Sequence, residues 1–192
     1  MTQRIIVFGA TGKAGQAVVA QALERGWTVR ALARDPAKLT ITHQRLAVVR
    51  SDIADPASIR AAMVGQWDAV VSALGIFSKE PSTALSDGTR RIVAEMRGAG
   101  LKRIVVISSL GAGDSNGQGT FMMRMIQRYI LRETLIDKTR QEEILRNSDL
   151  EWTSLRPPQL TEDPRLRDDL VSWKAAAPTD RKLAWKVSRA TL

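Results

Sequence analysis

The chain has 192 residues, 44% of them hydrophobic and 26% charged, which suits one ordinary α/β domain with a buried core and excludes disorder or a fibre. It has no cysteine and one histidine, His43, so disulfides, thiolate catalysis and any thiolate or His-rich metal site are excluded, no metal is expected, and His43 reads as a loop residue. The net charge of +9 is spread, with 22 basic against 15 acidic side chains over residues 1–160 and seven against five over 161–192. With no nucleic-acid motif, no apolar run near the ~18 residues that span a bilayer and no signal-peptide pattern, the expectation is a cytoplasmic protein with neither a nucleic-acid nor a membrane partner.

In chain order, residues 4–8 form a β-branched run entering the turn Gly9-Ala10-Thr11-Gly12-Lys13-Ala14-Gly15, and an apolar-periodic helix follows through Leu23, closed by Gly26. Residues 28–33 read as a strand, as do 46–49. A helix over 56–64 has Pro56 in its first turn, residues 69–73 form a strand, and a helix over 83–97 stops before Gly98. The all-apolar run Ile104-Val105-Val106-Ile107 within 103–107 has the character of a strand covered on both faces, as parallel sheets require. A glycine-rich loop then leads to helices near 121–132 and 137–147 and a strand over 152–155, stopped by Pro157-Pro158. Six strands separated by helices predict an α/β, doubly wound parallel sheet in a single domain over 1–192, with a core at 1–160. Residues 161–192 form an irregular substrate-side segment, with at most a short helix near 168–176 and a short strand near 183–187.

Glycines at 9, 12 and 15, between a strand and a helix, fit a phosphate-binding turn. They permit the tight turn, the approach of a pyrophosphate and close helix packing, while the helix N-terminus supplies free N–H groups and partial positive charge. Thr11 and Lys13 add a hydroxyl and a cation, and Ala14 completes the turn. At the end of the second strand an acid would accept from a ribose 2′-hydroxyl and a cation would accommodate a 2′-phosphate. The chain reads Ala33-Arg34-Asp35, with Lys38 nearby, so NADP(H) is favoured through Arg34. The competing reading pairs Arg34 with Asp35 on the surface. Asp52 stands where the adenine edge would lie, and Ala73, Leu74 and Gly75 are small enough to let the cofactor cross the sheet edge.

The run from Val7 to Gly15, with Ala33-Arg34-Asp35, Ser51-Asp52, Ile107-Ser108-Ser109 and Leu155-Arg156-Pro157-Pro158, resembles the atypical short-chain dehydrogenase/reductase group. That group includes NmrA-like proteins and the NADPH-dependent flavin and biliverdin-IXβ reductases, and the resemblance covers roughly residues 3–160. It implies a Rossmann domain with NADP(H) along the carboxyl ends of the strands, Ser108 and Pro157 among the cofactor contacts, and a substrate over the nicotinamide. Candidate catalytic residues are Ser109, Lys138 and Gln159. The chain departs from the usual Tyr-x-x-x-Lys pair: Lys138 fits the lysine, but Thr134 stands at the tyrosine position. Tyr129 is the single tyrosine, and Gln159 follows the double proline where the flavin and biliverdin reductases carry a histidine.

Two functions fit these residues. One is an NADPH-dependent reductase passing hydride to a conjugated acceptor, such as a flavin, linear tetrapyrrole or quinone, which needs no dedicated tyrosine acid. The other is a non-catalytic NADP-binding regulator of the NmrA-like type. Arg124, Arg128 and Arg132 form a basic stripe beside Met122, Met123 and Met125, read either as a solvated face over a plastic apolar contact or as a lid or subunit contact over a flat anionic substrate. The segment Lys186-Val187-Ser188-Arg189-Ala190 resembles the one introducing a last family helix. A shortened C-terminus is therefore expected, leaving an apolar face free for a second subunit.

Overall fold

In the computed structural model, which describes residues 2–163, 186–189 and 191, the alternation of apolar runs and helix signals resolves into a six-stranded parallel sheet in the order β3-β2-β1-β4-β5-β6. Its strands are β1 (Arg4–Phe8), β2 (Thr28–Ala33), β3 (Leu46–Arg50), β4 (Ala69–Ser72), β5 (Arg103–Ile107) and β6 (Glu151–Leu155). The helices are α1 (Lys13–Glu24), α2 (Pro56–Ala62), α3 (Ala84–Gly98), α4 (Phe121–Tyr129) and α5 (Arg132–Arg146). This is a Rossmann sheet. The strand order reverses between β1 and β4, and that switch point opens a crevice at the carboxyl edge.

Two apolar layers flank the sheet. On one side Ile6, Phe8, Leu32, Val70, Ile104 and Val106 meet α2, α3 and α5 through Ile59, Ile92, Met96 and Leu145. On the other, Ile5, Val7, Val29 and Ala31 meet Val19, Ala22 and Leu23 of α1. Alternate residues of β1 thus feed opposite cores, which is why its run reads as continuously apolar.

Asp55 and Asp35, each followed by proline, cap α2 and a 3-10 turn over Pro36–Lys38, accepting from Ala57 N at 3.0 Å and Ala37 N at 3.2 Å. Gly26, at φ +81°, ends α1 as expected, with its N–H on Leu23 O.

The larger differences from the sequence expectation lie in the last third of the chain. The break between the last two helices falls at Ile130–Leu131, so α4 ends at Tyr129 and α5 begins at Arg132 rather than near 137. The reason is that the inner face of α5 is polar, as described below. A two-stranded parallel sheet, β7 (Gln159–Thr161) with β8 (Lys186–Ser188), was not foreseen at β7. At β8 it takes up the end of the strand expected near 183–187, whose first residues lie outside the described set. The helix expected near 168–176 also lies outside it. His43 sits in a loop, its Nδ1 accepting from Arg45 N at 3.0 Å.

Candidate cofactor and active site

The glycine turn after β1 is the tightest point of the crevice. Gly9 adopts φ +73°, and a Cβ there would lie 2.8 Å from Ala73 O. A Cβ on Gly15 would lie 2.1 Å from Gly9 O. Both glycines are required by the protein's own packing. Gly12 differs: it is the N-cap of α1 at φ −73°, its N–H reaches Gly9 O at 3.0 Å, and a Cβ would meet nothing closer than that oxygen at 3.4 Å. Around Gly75, beyond β4, no atom lies within 4 Å of such a Cβ. Open space over Gly75, with only an ordinary backbone contact at Gly12 and no side chain capping α1, leaves the first N–H groups of that helix available to the crevice, as a pyrophosphate site requires. Thr11 is half-buried, its carbonyl fixed by Gln16 Nε2 at 2.9 Å, and Ala14 sits in the first turn of α1. Lys13 is turned outward into an ion pair with Glu162, just after β7, which Arg189 also approaches at 3.8 Å.

At the β2 end the structure removes the surface-pair reading of Arg34. The Asp35 carboxylate caps the 3-10 turn and faces Lys38 Nζ at 3.7 Å, and among the described residues no acid pairs with Arg34, which is exposed. The register sets Ala33 opposite Arg50, so a third cation, one that the motif reading missed, joins Arg34 and Lys38 at this corner. Asp52 is exposed, with Oδ1 accepting from Ala54 N at 2.9 Å. Across the switch point Ala73 N donates to Phe8 O at 2.9 Å, and half-buried Leu74 leans on the main core.

The carboxyl ends of β5 and β6 carry the other candidates. Ser108 is buried, its N–H on Leu155 O at 2.7 Å, and Leu110 N donates to Pro157 O at 3.0 Å, which brings the Ser108-Ser109 and Pro157-Pro158 segments together. Ser109 Oγ donates to the neighbouring Leu110 O at 3.3 Å. Gln159 is exposed on β7. Lys138 is buried beneath this edge, its Nζ donating to Ile107 O at 3.0 Å. Burial pushes its ammonium down to about 8, although Glu142 and Asp137 pull the other way. Thr134, at the tyrosine position, exchanges hydrogen bonds with the backbone of Ser78, and Tyr129 is 68% exposed on α4. The chain places no phenol at the site.

Around Lys138 lies a polar layer that hydrophobic patterning does not reveal. Glu142, 1% exposed, receives Arg156 Nε at 3.0 Å and Nη2 at 2.6 Å and Ser154 Oγ at 2.7 Å. Burial pushes the Glu142 carboxyl up, but the Arg156 fork and the Ser154 hydroxyl outweigh it and hold the group below the usual carboxylate range. Arg156 also pairs with Asp114. Asp137 accepts from Leu85 N at 2.9 Å and Ser86 N at 3.2 Å, so a carboxylate on α5 satisfies the start of α3. Gly113, at φ +55°, passes so close that a Cβ would lie 2.6 Å from Glu142 Oε2.

A glycine turn leading into a helix with no side-chain cap, at the switch point of a Rossmann sheet, fits a dinucleotide site, and the NAD(P)H-binding family matches residues 9–192. This chain belongs to that family. Among relatives of this NAD(P)H-binding protein, an uncharacterized chloroplastic protein of Arabidopsis thaliana is 30% identical over 174 residues, covering 85% of this chain and 61% of its own length. Cinnamoyl-CoA reductase 1 of Oryza sativa subsp. japonica is 36% identical over 124 residues, covering 59% and 36%. The chain thus spans between 36% and 61% of the length of these curated relatives. Among solved structures, the anaerobilin reductase ChuY from Escherichia coli O157:H7 matches with a TM-score of 0.73 and 26% identity over 97% of this chain and 85% of that one. A short-chain dehydrogenase/reductase from Veillonella parvula, solved in complex with NADP, shares the fold at a TM-score of 0.76 and 20% identity, covering 99% and 83%.

Proposed function

We propose that this NAD(P)H-binding chain is an NADPH-dependent reductase whose acceptor is a conjugated molecule, of the flavin, linear tetrapyrrole or quinone class. The observation that carries the reading is a dinucleotide crevice with no phenol beside it. Thr134 is tied to the Ser78 backbone, Tyr129 points to solvent and the Lys138 ammonium is spent on the Ile107 carbonyl. Carbonyl and alcohol chemistry would need a positioned acid at that place. A conjugated acceptor delocalises the incoming electron pair itself, so orientation supplies much of the catalysis. The names of relatives as reductases support the oxidoreductase class.

NADPH, when bound, supplies a hydride equivalent. The α1 N-terminus and the backbone around Gly12 would hold its pyrophosphate, Arg34 with Lys38 and Arg50 the 2′-phosphate, and Asp52 the adenine edge, while Ala73, Leu74 and Gly75 leave its path across the sheet clear. Ser108 and Pro157 would border the nicotinamide end, with Ser109 and Gln159 on the acceptor side offering hydrogen bonds. Lys138 is a positioning residue that fixes the β5 end through Ile107.

The test follows NADPH absorbance with oxidised flavin, quinone and linear tetrapyrrole. Turnover on one of them is expected. Tight NADPH binding without turnover on any overturns the reductase reading in favour of a non-catalytic NADP-binding regulator. In calorimetry, Arg34→Ala is expected to weaken NADPH about ten- to a hundredfold, the worth of one charge-assisted phosphate contact, and to leave NADH nearly unchanged. Equal binding of NADH and NADPH by the wild type would overturn the role of Arg34.

A further inference from the structure

Helix α4 faces the wrong way for a helix bathed in water. Its inner stripe is narrow: Met123 and Gln127 are buried and Ile126 is half-buried. The residues at the solvent face are Phe121 at 70% exposure, Met122 at 59%, Met125 at 39% and Tyr129 at 68%, followed by Ile130 at 52%. Phe121, Met125 and Tyr129 recur every four residues and form one row. Beside it runs a second row, Arg124 and Arg128, neither of which pairs with an acid among the described residues, with the Arg128 guanidinium 5.8 Å from the Tyr129 ring centre. These two arginines, with Arg132 and Arg140, line an open cleft of about 770 Å³ between α4 and α5, on whose wall Glu143 is the one acid. Arg132 is paired with Glu133. Nearby, the Ser78–Thr134 hydrogen bonds tie to α5 the loop that carries a further exposed ring, Phe77, at 59%.

We propose that α4 seats the protein on the surface of an anionic lipid membrane, its aromatic and methionine row in the acyl boundary and Arg124 and Arg128 on lipid phosphates. An apolar row flanked by unpaired guanidinium groups is the pattern that lies in the headgroup plane. Among the described residues no helix is long and apolar enough to cross a membrane, and an interfacial helix does not need to. A second copy of the chain fits less well. A two-fold contact centred on α4, a helix with no acid of its own, would set Arg124 and Arg128 near their own copies, on a chain already at +9. An anionic leaflet supplies the missing charge. The inference is independent of the reductase reading, because it concerns a surface outside the dinucleotide crevice.

Sedimentation with large vesicles tests it, using phosphatidylcholine alone and phosphatidylcholine with about a third phosphatidylglycerol, NADPH binding being measured on every variant as a check on folding. The wild type should pellet with the anionic vesicles and remain in solution with the neutral ones. Arg124→Ala with Arg128→Ala should lower partitioning about 30-fold, at about 1 kcal/mol for each arginine at an anionic surface. Phe121→Ser with Met125→Ser should lower it at least about tenfold through lost apolar burial. Equal binding to neutral vesicles, no binding to anionic ones, or full binding by the double arginine variant each overturns the proposal. So does light scattering that finds a dimer dissolved by Phe121→Ser with Met125→Ser, since a second copy would then cover the row. Retention on polyglutamate without vesicle binding would assign the face to an acidic protein and likewise overturn it.

Discussion

Gly12 and Gly15 are three residues apart and lack side chains for different reasons. At Gly15 a Cβ would sit 2.1 Å from the Gly9 carbonyl oxygen, so the backbone contact between the turn and α1 depends on its absence. At Gly12 the dihedral is ordinary for any residue, and a Cβ would only reach van der Waals contact with the Gly9 carbonyl oxygen at 3.4 Å. Gly15→Ala should therefore destabilise the fold, by about 2 kcal/mol or more, as overpacking against immobile backbone does. Gly12→Ala should leave thermal stability nearly unchanged and weaken NADPH at least about tenfold, because its methyl would occupy the approach of the pyrophosphate. Differential scanning fluorimetry with and without NADPH separates the two. Equal loss of stability in both variants would show that Gly12 too is a packing glycine.

Lys138 gives a second prediction at the same scale. Its folded-state value of about 8 lies below the 10.5 of an exposed lysine, so burial penalises the charged form. Below about pH 8 both folded and unfolded chains hold the proton and the penalty is full and constant. Between about 8 and 10.5 the unfolded chain binds more protons than the folded one, so this residue's contribution to stability rises with pH. The unfolding free energy of wild type minus that of Lys138→Met, from urea titrations, should be flat below about pH 8 and increase above it. A difference independent of pH across that window would mean that the ammonium remains well solvated.

Among the elements, α5 is the one whose inner face performs work that apolar periodicity cannot disclose. Asp137, Lys138, Gln141 and Glu142 are all buried. They hydrogen-bond to the start of α3, the end of β5, Thr89 and Arg156 respectively, with Gln141 engaged through Nε2 alone and its Oε1 left without a partner among the described residues. A helix that turns polar side chains inward carries little apolar rhythm in its first turns, and for that reason its start is misplaced by five residues from sequence. By contrast β1, the glycine turn and α1 are legible, because glycines forced by backbone contact and strands covered on both faces leave local marks. Asp35 was legible in principle too, since aspartate before proline is the signature of a cap, which is what removes it as a partner for Arg34. The pairing of β7 with β8 joins two three-residue segments far apart in the chain, and no local pattern encodes it. The Asp137 cap yields an element-scale prediction. Thr83, the N-cap residue of α3, makes no cap of its own, so Asp137→Ala strands two buried N–H groups. It should cost about 2 kcal/mol, read by urea unfolding. Asp137→Asn, which keeps one acceptor, should recover part of that loss, and equal costs for the two variants would remove the capping role.

At the scale of the whole molecule, positive charge gathers in two places, Arg34, Lys38 and Arg50 at the carboxyl edge of the sheet and Arg124, Arg128, Arg132 and Arg140 along the α4–α5 cleft. The Glu162–Lys13 pair joins that edge to the short β7–β8 sheet. Seen as a binding equilibrium, it means that the phosphate loop does not meet its ligand bare. A carboxylate already sits on Lys13, so a diphosphate that drew on this cation would displace one anion as it delivered another. Association would then be an exchange of counter-charges, in which part of the Coulomb gain goes to displacing Glu162, the residue that follows β7. Both members of the pair are solvent-exposed, which keeps the competition mild. Glu162→Gln should tighten NADPH by no more than about fivefold and make its affinity fall more steeply with salt, since the wild type merely swaps one partner of Lys13 for another. Unchanged affinity and an unchanged salt slope would show that Lys13 plays no part in holding the diphosphate.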